Sequence, residues 1–203
     1  MKRFLAALGL CVAVCSSALA ADAVVQEARI KADKLDIAYP VFSLENQAAE
    51  SKINAHVRSA VKAVQNYYKK DKELVAAGMK YEVTMENDKY LCFKLQSFDY
   101  HGGAHGMYYT NYKVFDKDTG AQLKYTDFVP ALTKEQLHKG IKDKSLPVVS
   151  EDGKTVSEAP FLDSKLEVTD NFCLNSDGTI SLVYGPYVLD CYAFGDAYVV
   201  LKK

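Results

Sequence analysis

One stretch of this chain repeats its apolar positions with a clear helical period. Over residues 45–70, Ile53, Val57, Ala60, Val61, Val64 and Tyr68 fall on one continuous stripe, which predicts a long amphipathic helix. Lys52, Arg58, Lys62 and Gln65 take the other face, and Ser43 stands upstream as a candidate N-cap. His56 lies on this helix as a surface residue. The rest of the pattern has a period of two. Ile30, Leu35, Ile37 and Tyr39 read as a strand or an extended pair over 28–42, broken by Pro40. Gly78 is read as the end of a second, short helical piece. Tyr81, Val83 and Met85, then Leu91, Phe93 and Leu95, alternate about Asn87-Asp88 and predict a β-hairpin.

Met107 to Phe115 reads as a further strand, closed by a turn that ends at Gly120. Thr133-Lys134-Glu135-Gln136 is a capping box. It opens a helix with Leu137 and Ile141 turned inward and His138 exposed. Residues 143–165, with Pro147, Gly153 and Pro160, read as a long loop. Three strands follow, Leu166 to Cys173, Thr179 to Tyr184 and Ala197 to Leu201, the first two joined through Asn175-Ser176-Asp177-Gly178. The fold class expected is α+β, with a mostly antiparallel sheet packed by one long and one or two shorter helices.

The first twenty residues follow a different rule. Lys2 and Arg3 precede the apolar run Phe4 to Val14, and Ala18-Leu19-Ala20 supplies small residues at a cleavage pattern. This predicts a signal peptide over residues 1–20; the run is too short for a span of ~20 residues. Two alternatives fit less well: a lipid-bearing Cys15, because Val14 is bulky, and an uncleaved anchor, because the run is short. The mature chain is then secreted or periplasmic and does not span a membrane. The whole chain has 25 Lys+Arg and 26 Asp+Glu, so losing Lys2 and Arg3 leaves a net charge of about −3. That balance argues against nucleic acid and permits a cationic protein partner.

Three cysteines outlast the signal: Cys92, Cys173 and Cys191. Export permits a disulfide, and Cys173–Cys191 is the favoured pair because both can sit on neighbouring strands. A buried unpaired thiol is the plainer alternative.

Candidate chemistry centres on His101-Gly102-Gly103-Ala104-His105-Gly106 and the tyrosines Tyr108, Tyr109 and Tyr112 that follow. Three readings are open. Asp99, His101 and His105 form a metal site, although the glycines exclude the helix on which His spaced by four usually bind zinc. Alternatively, the glycines take positive φ in a tight connection that His105 pins by hydrogen bonding to backbone. Or the loop is exposed and binds a ligand with His101, Gly102, Gly103, His105, Tyr108, Tyr109 and Tyr112, its amides forming an anion nest. Fourteen Tyr and no Trp leave many amphipathic rings for interfaces, with Tyr184, Tyr187 and Tyr192 as a second group. No G-x-S-x-G, P-loop, dinucleotide fingerprint or zinc-protease motif is present, so no cofactor is expected.

Two regions resemble a known family. Ile37-Ala38-Tyr39-Pro40 with Ile53-Asn54 is similar to the first half of a paired extracytoplasmic module. Gly102-Gly103-Ala104-His105, Asp118-Thr119-Gly120, Asp127-Phe128 and the run Tyr184-Gly185-Pro186-Tyr187 to Tyr192-Ala193-Phe194-Gly195 are similar to its second half. The pair is found in the ectodomain of the lysozyme-sensing anti-sigma factor RsiV and in the accessory region of the peptidoglycan deacetylase PdaC. The resemblance implies halves of 21–98 and 99–203 in one compact unit. It also implies a non-catalytic cell-envelope binding module that holds a lysozyme-like protein or peptidoglycan. It implies neither a sigma-binding segment nor a deacetylase domain. The alternative function is a small metal-dependent envelope hydrolase built on the HGGAH loop.

Overall fold

The computed structural model describes residues 23–155 and 162–201. The expected signal peptide lies outside the described residues. The alternating segments form strands β1 Val24–Ala32, β2 Leu35–Ser43, β3 Ala76–Glu86, β4 Tyr90–Tyr100 and β5 Met107–Asp116, joined in that order as one five-stranded sheet. Helix α1, Gln47–Lys70, crosses from β2 to β3, and these two strands are therefore parallel; every other pairing is antiparallel. A second sheet holds β6 Val148–Ser150, β7 Phe172–Leu174, β8 Ile180–Tyr184 and β9 Ala197–Leu201 in the order β6-β9-β8-β7. Helix α2, Lys134–Lys142, begins at Thr133, whose capping box with Gln136 forms as expected. The α+β class with mainly antiparallel sheets is the one read from the sequence.

The helical stripe works as predicted. Ile53, Val57 and Val61 are buried against Ile37, Phe42, Phe93 and Phe115 on one face of the first sheet. Asn54 sits among them, where an unpaired amide would be costly. Its Oδ1 accepts from the Phe42 N–H at 3.0 Å and its Nδ2 donates to the Phe42 carbonyl at 2.7 Å. The amide thus stands in for a neighbouring strand at the end of β2.

The opposite face of the same sheet meets the second sheet. Cys92 of β4 and Val114 of β5 pack with Leu137, Phe172, Leu182 and Val199 into a second core. Asn171 fastens the two sheets together. Its Oδ1 accepts from the Tyr112 N–H at 2.7 Å, and its Nδ2 donates to the carbonyls of Thr110 at 2.9 Å and Val183 at 3.1 Å. Its own carbonyl accepts from the Val183 N–H at 2.8 Å.

Several local expectations give way to pairing. Pro40 lies inside β2, opposite Glu27. It is tolerated because β3 pairs with β2 only over Leu35–Ile37, so the missing donor falls where β2 has one neighbour. The cap of α1 is Asn46, whose side chain accepts from the Ala48 and Ala49 N–H groups, while Ser43 is still extended at the end of β2. Gly78 ends no helix; it lies in β3, where a Cβ would come within 2.2 Å of the Asp36 carbonyl oxygen. Residues 143–165 contain β6, three residues long and hidden between Pro147 and the Gly153 turn. Of the expected strand Leu166 to Cys173, only its end pairs, as β7. His138 is half-buried rather than exposed, with its Nε2 2.9 Å from the Leu166 carbonyl oxygen. The expected division at 98/99 falls inside β4, and the first sheet closes only with β5.

Asn171→Ala orphans the N–H of Tyr112, a buried residue, and frees two carbonyls. Each lost partner costs about 1 kcal/mol or more. Urea unfolding of the variant is expected to show a loss of about 2–4 kcal/mol with an unchanged slope.

Candidate functional site: an aromatic face between two loops

Two loops converge at one end of the second sheet. The first is His101–Gly106, between β4 and β5. The second is the connection Gly185–Gly195, between β8 and β9. Leu189, fully buried, anchors the second loop, and the Tyr187 N–H donates to the Asp190 carbonyl at 3.0 Å. This turn holds Tyr187 at φ 67, a left-handed backbone that non-glycine residues seldom adopt, and leaves its side chain half in solvent.

The imidazole of His105 stacks on Tyr192 with centroids 3.9 Å apart and planes 21° apart. Tyr187 and Tyr108 each lie 5.8 Å from the same ring. His105 Nδ1 is 3.0 Å from the Gly106 carbonyl oxygen and Nε2 is 3.4 Å from Tyr187 Oη. In the tautomer that donates from Nδ1, Nε2 accepts from the tyrosine. Gly195, at φ 81, lets the chain pass Tyr108: a Cβ there would lie 3.1 Å from Tyr108 Oη. The result is a face of four rings, drawn from two distant segments, with His105 and Tyr187 exposed.

A buried polar group lies beneath it. Asp196 follows Gly195 and is only 4% exposed, and one of its carboxylate oxygens, Oδ1, has no hydrogen-bond partner among the described residues. Burial pushes its pKa up, against a hydrogen bond from Thr110. Gln96 donates to Thr110 Oγ1 at 2.8 Å. Burial also pushes Tyr108 up to about 12, with Asp196 adding to the shift. Beside Tyr187 opens a groove of about 440 Å3, lined by Asp163, Lys165, Glu167 and Val188 with Tyr184.

The structure separates the residues that the sequence grouped. His101 turns away from His105 to the C-terminal end of α1. Its Nε2 is 2.9 Å from Asp71 Oδ2, and its Nδ1 is 3.5 Å from Asp99 Oδ1. The hydrogen bond that His101 donates to Asp71 raises the pKa of His101 and lowers that of Asp71. The two imidazoles therefore serve different ends of the loop. Asp99, His101 and His105 do not converge, and among the described residues no His, Cys, Asp and Glu cluster suits a metal ion. Gly102 and Gly103 do take positive φ, at 93° and 100°, on an exposed tip where an added Cβ would meet nothing.

Tyr108 joins the aromatic face, whereas Tyr109 is exposed on the other side of β5 and Tyr112 is buried. Tyr112 Oη meets Tyr198 Oη at 2.9 Å between the sheets, and burial raises its pKa to about 12. Of the second tyrosine group, Tyr187 and Tyr192 complete the face. Tyr184 is buried and donates to the Glu167 carbonyl. No disulfide joins Cys173 and Cys191. Both are free, as is Cys92: Cys173 is buried on β7 and Cys191 is exposed at the start of the 3-10 turn Tyr192–Phe194. Burial pushes the Cys92 and Cys173 thiols up to about 12, so both stay protonated and unreactive.

The raised carboxyl of Asp196 sets a pH dependence. The folded chain keeps this proton above the ordinary carboxylate range, where the unfolded chain has lost it. Stability from this group is therefore present at acid pH and declines as pH rises through the folded pKa. Asp196→Asn is expected to be more stable than the parent at neutral pH. The advantage disappears in acid, as urea midpoints taken across the pH range should show.

Residues 30–108 match the family model described as deacetylase PdaC. Two solved structures share the fold along most of the chain. One is a DUF3298-family protein of Pseudomonas aeruginosa PAO1: 13% identity, 94% of this chain and 89% of that one, TM-score 0.53. The other is a DUF3298-family member from Bacteroides fragilis NCTC 9343: 16% identity, 96% and 90% coverage, TM-score 0.55. No curated protein matches. At these identities the two structures speak for the fold alone. The family match is confined to residues 30–108, while the fold shared with the two DUF3298-family structures extends along most of the chain.

Proposed function

We propose that the chain is an exported, non-catalytic binding module of the cell envelope, and that its ligand is peptidoglycan glycan held on the face of His105, Tyr108, Tyr187 and Tyr192. The observation that carries this reading is the exposed stack of His105 on Tyr192, flanked by Tyr187. Rings of this kind offer flat apolar surface with a polar edge. The adjoining groove adds Asp163, Lys165 and Glu167, charged groups that can hydrogen-bond to sugar hydroxyls. The loop His101–Gly106 presents one side of the face, and its position is fixed by the His101–Asp71 contact with α1. Export rests on the pattern of residues 1–20. It is compatible with the finding that no helix among the described residues is long and apolar enough to cross a membrane.

A second reading has an observation of its own. The charge of about −3 after loss of residues 1–20 favours a cationic protein, and the resemblance to the RsiV ectodomain points to a lysozyme-like one. The same face would then serve as an aromatic anchor.

Co-sedimentation with purified peptidoglycan, and pull-down with lysozyme, distinguish the two. Tyr192→Ala and Tyr187→Ala are expected to weaken retention by roughly tenfold or more, as loss of an interface anchor worth ~1.4 kcal/mol or more does. Tyr109→Ala, on the other side of β5, should leave retention intact. Full retention by the Tyr192→Ala variant would count against this face. No retention on either material by the parent chain would remove the proposal.

A further inference from the structure

Among the described residues, the lysines withdrawn from solvent are paired, with one exception. Lys94, on the face of the first sheet turned to the second, lies 2.9 Å from Glu82 and 2.5 Å from Glu151. Lys117, buried, is 3.0 Å from Glu86 and donates to the Asn87 carbonyl. Lys113 is half-buried on the α1 side of β5, opposite Phe93 of β4, and among the described residues it has no carboxylate and no hydrogen-bond acceptor. Burial alone acts on it, and lowers its pKa. An ammonium taken out of water without a partner is costly, so its environment asks for an anion.

The environment also has room for one. Lys113 opens onto a cavity of about 230 Å3 between α1 and the sheet. Ala60 and Ala63 of α1 and Phe93 and Leu95 of β4 give it apolar walls, and His56 and Ser59 supply hydrogen-bonding groups. The cavity is smaller than the ~300–1,000 Å3 clefts that take drug-sized ligands. Electrostatics select the sign of the occupant. Between Ser51 and Lys70, α1 carries Lys52, Arg58, Lys62, Lys69 and Lys70 and no acidic residue, although the chain as a whole is slightly acidic. This concentrates positive potential along the helix that roofs the cavity. A single ammonium flanked by carbon and two hydrogen-bonding side chains matches one carboxylate on an apolar body. A phosphate dianion would need more donors than are present.

We infer that the groove between α1 and β5 is a binding site for a small apolar monocarboxylate, with Lys113 as its counter-ion and Phe93, Leu95, Ala60 and Ala63 as its apolar bed. The site lies on the opposite face of the sheet from the aromatic loops and is independent of them.

Octanoate is a suitable probe, with octylammonium as the opposite charge on the same tail. Titration of the full chain, followed by calorimetry and by the Lys113 side-chain NMR signals, is expected to show saturable one-site binding of octanoate and none of octylammonium. Lys113→Met keeps an unbranched apolar stem and removes the charge. It is expected to weaken octanoate by about tenfold or more, as loss of a charge-assisted contact does, with a melting midpoint no lower than the parent's. Lys113→Gln serves the same purpose if the methionine variant misfolds. Tyr192→Ala should bind octanoate normally. Absence of saturable octanoate binding would overturn the assignment. Equal binding of octylammonium, or undiminished binding by the folded Lys113 variant, would do the same.

Discussion

The edge of the first sheet is tied to the second by the backbone-like hydrogen bonds of one amide. Asn171 precedes β7 and reaches across to β5, where its side chain meets the free edge of the first sheet much as another strand would. Its remaining Nδ2 hydrogen bond and its own carbonyl engage both polar groups of Val183 on β8. An edge strand otherwise exposes a row of unpaired donors and acceptors. Here the pairing is completed by a side chain, which turns the end of the first sheet into the start of the second. The second core, from Cys92 and Val114 to Leu182 and Val199, is aligned by that joint. Asn54 does similar work at the end of β2, between helix and strand. Two asparagines thus supply backbone-like hydrogen bonds where strands run out.

The aromatic face inherits its geometry from the same joint. Tyr108 leaves the first sheet two residues before Thr110, whose carbonyl Asn171 holds. Tyr187 and Tyr192 come from the connection after β8, whose Val183 Asn171 also holds. The rings meet because both supporting strands are fixed to one residue. Asp196 beneath them shows the cost of the arrangement. A carboxylate with an unpartnered oxygen in a buried position is destabilising unless it keeps its proton, and the fold raises its pKa accordingly.

The sequence was legible where a local rule dominates. The stripe from Ile53 to Tyr68 fixed α1, because a helix must bury a face at its own period. The hairpin about Asn87-Asp88, the capping box at Thr133 and the turn at Gly178 depend on neighbouring residues only. Sequence reasoning failed where pairing with a distant strand overrode the local signal. Gly78 looked like a helix end and is a strand residue, because Asp36 lies against it. Pro40 looked like a break and is a strand residue, because β3 does not reach it. Of the candidate loop, the positive φ of Gly102 and Gly103 was legible, since few other residues adopt it.

The primary structure by itself determined the α+β class, the long helix, most strands and the presence of a glycine-tipped loop beside many tyrosines. Those follow from periodicity and turn chemistry, which act over a few residues. Only the tertiary structure decided where the side chains go. It sent His101 to Asp71 and His105 to Tyr192, buried Tyr112, kept Cys173 from Cys191 and left Lys113 without a partner among the described residues. The reason is that each of these contacts, or its absence, depends on register between segments far apart in the chain. A one-residue shift in that register would exchange the buried and exposed faces of a strand.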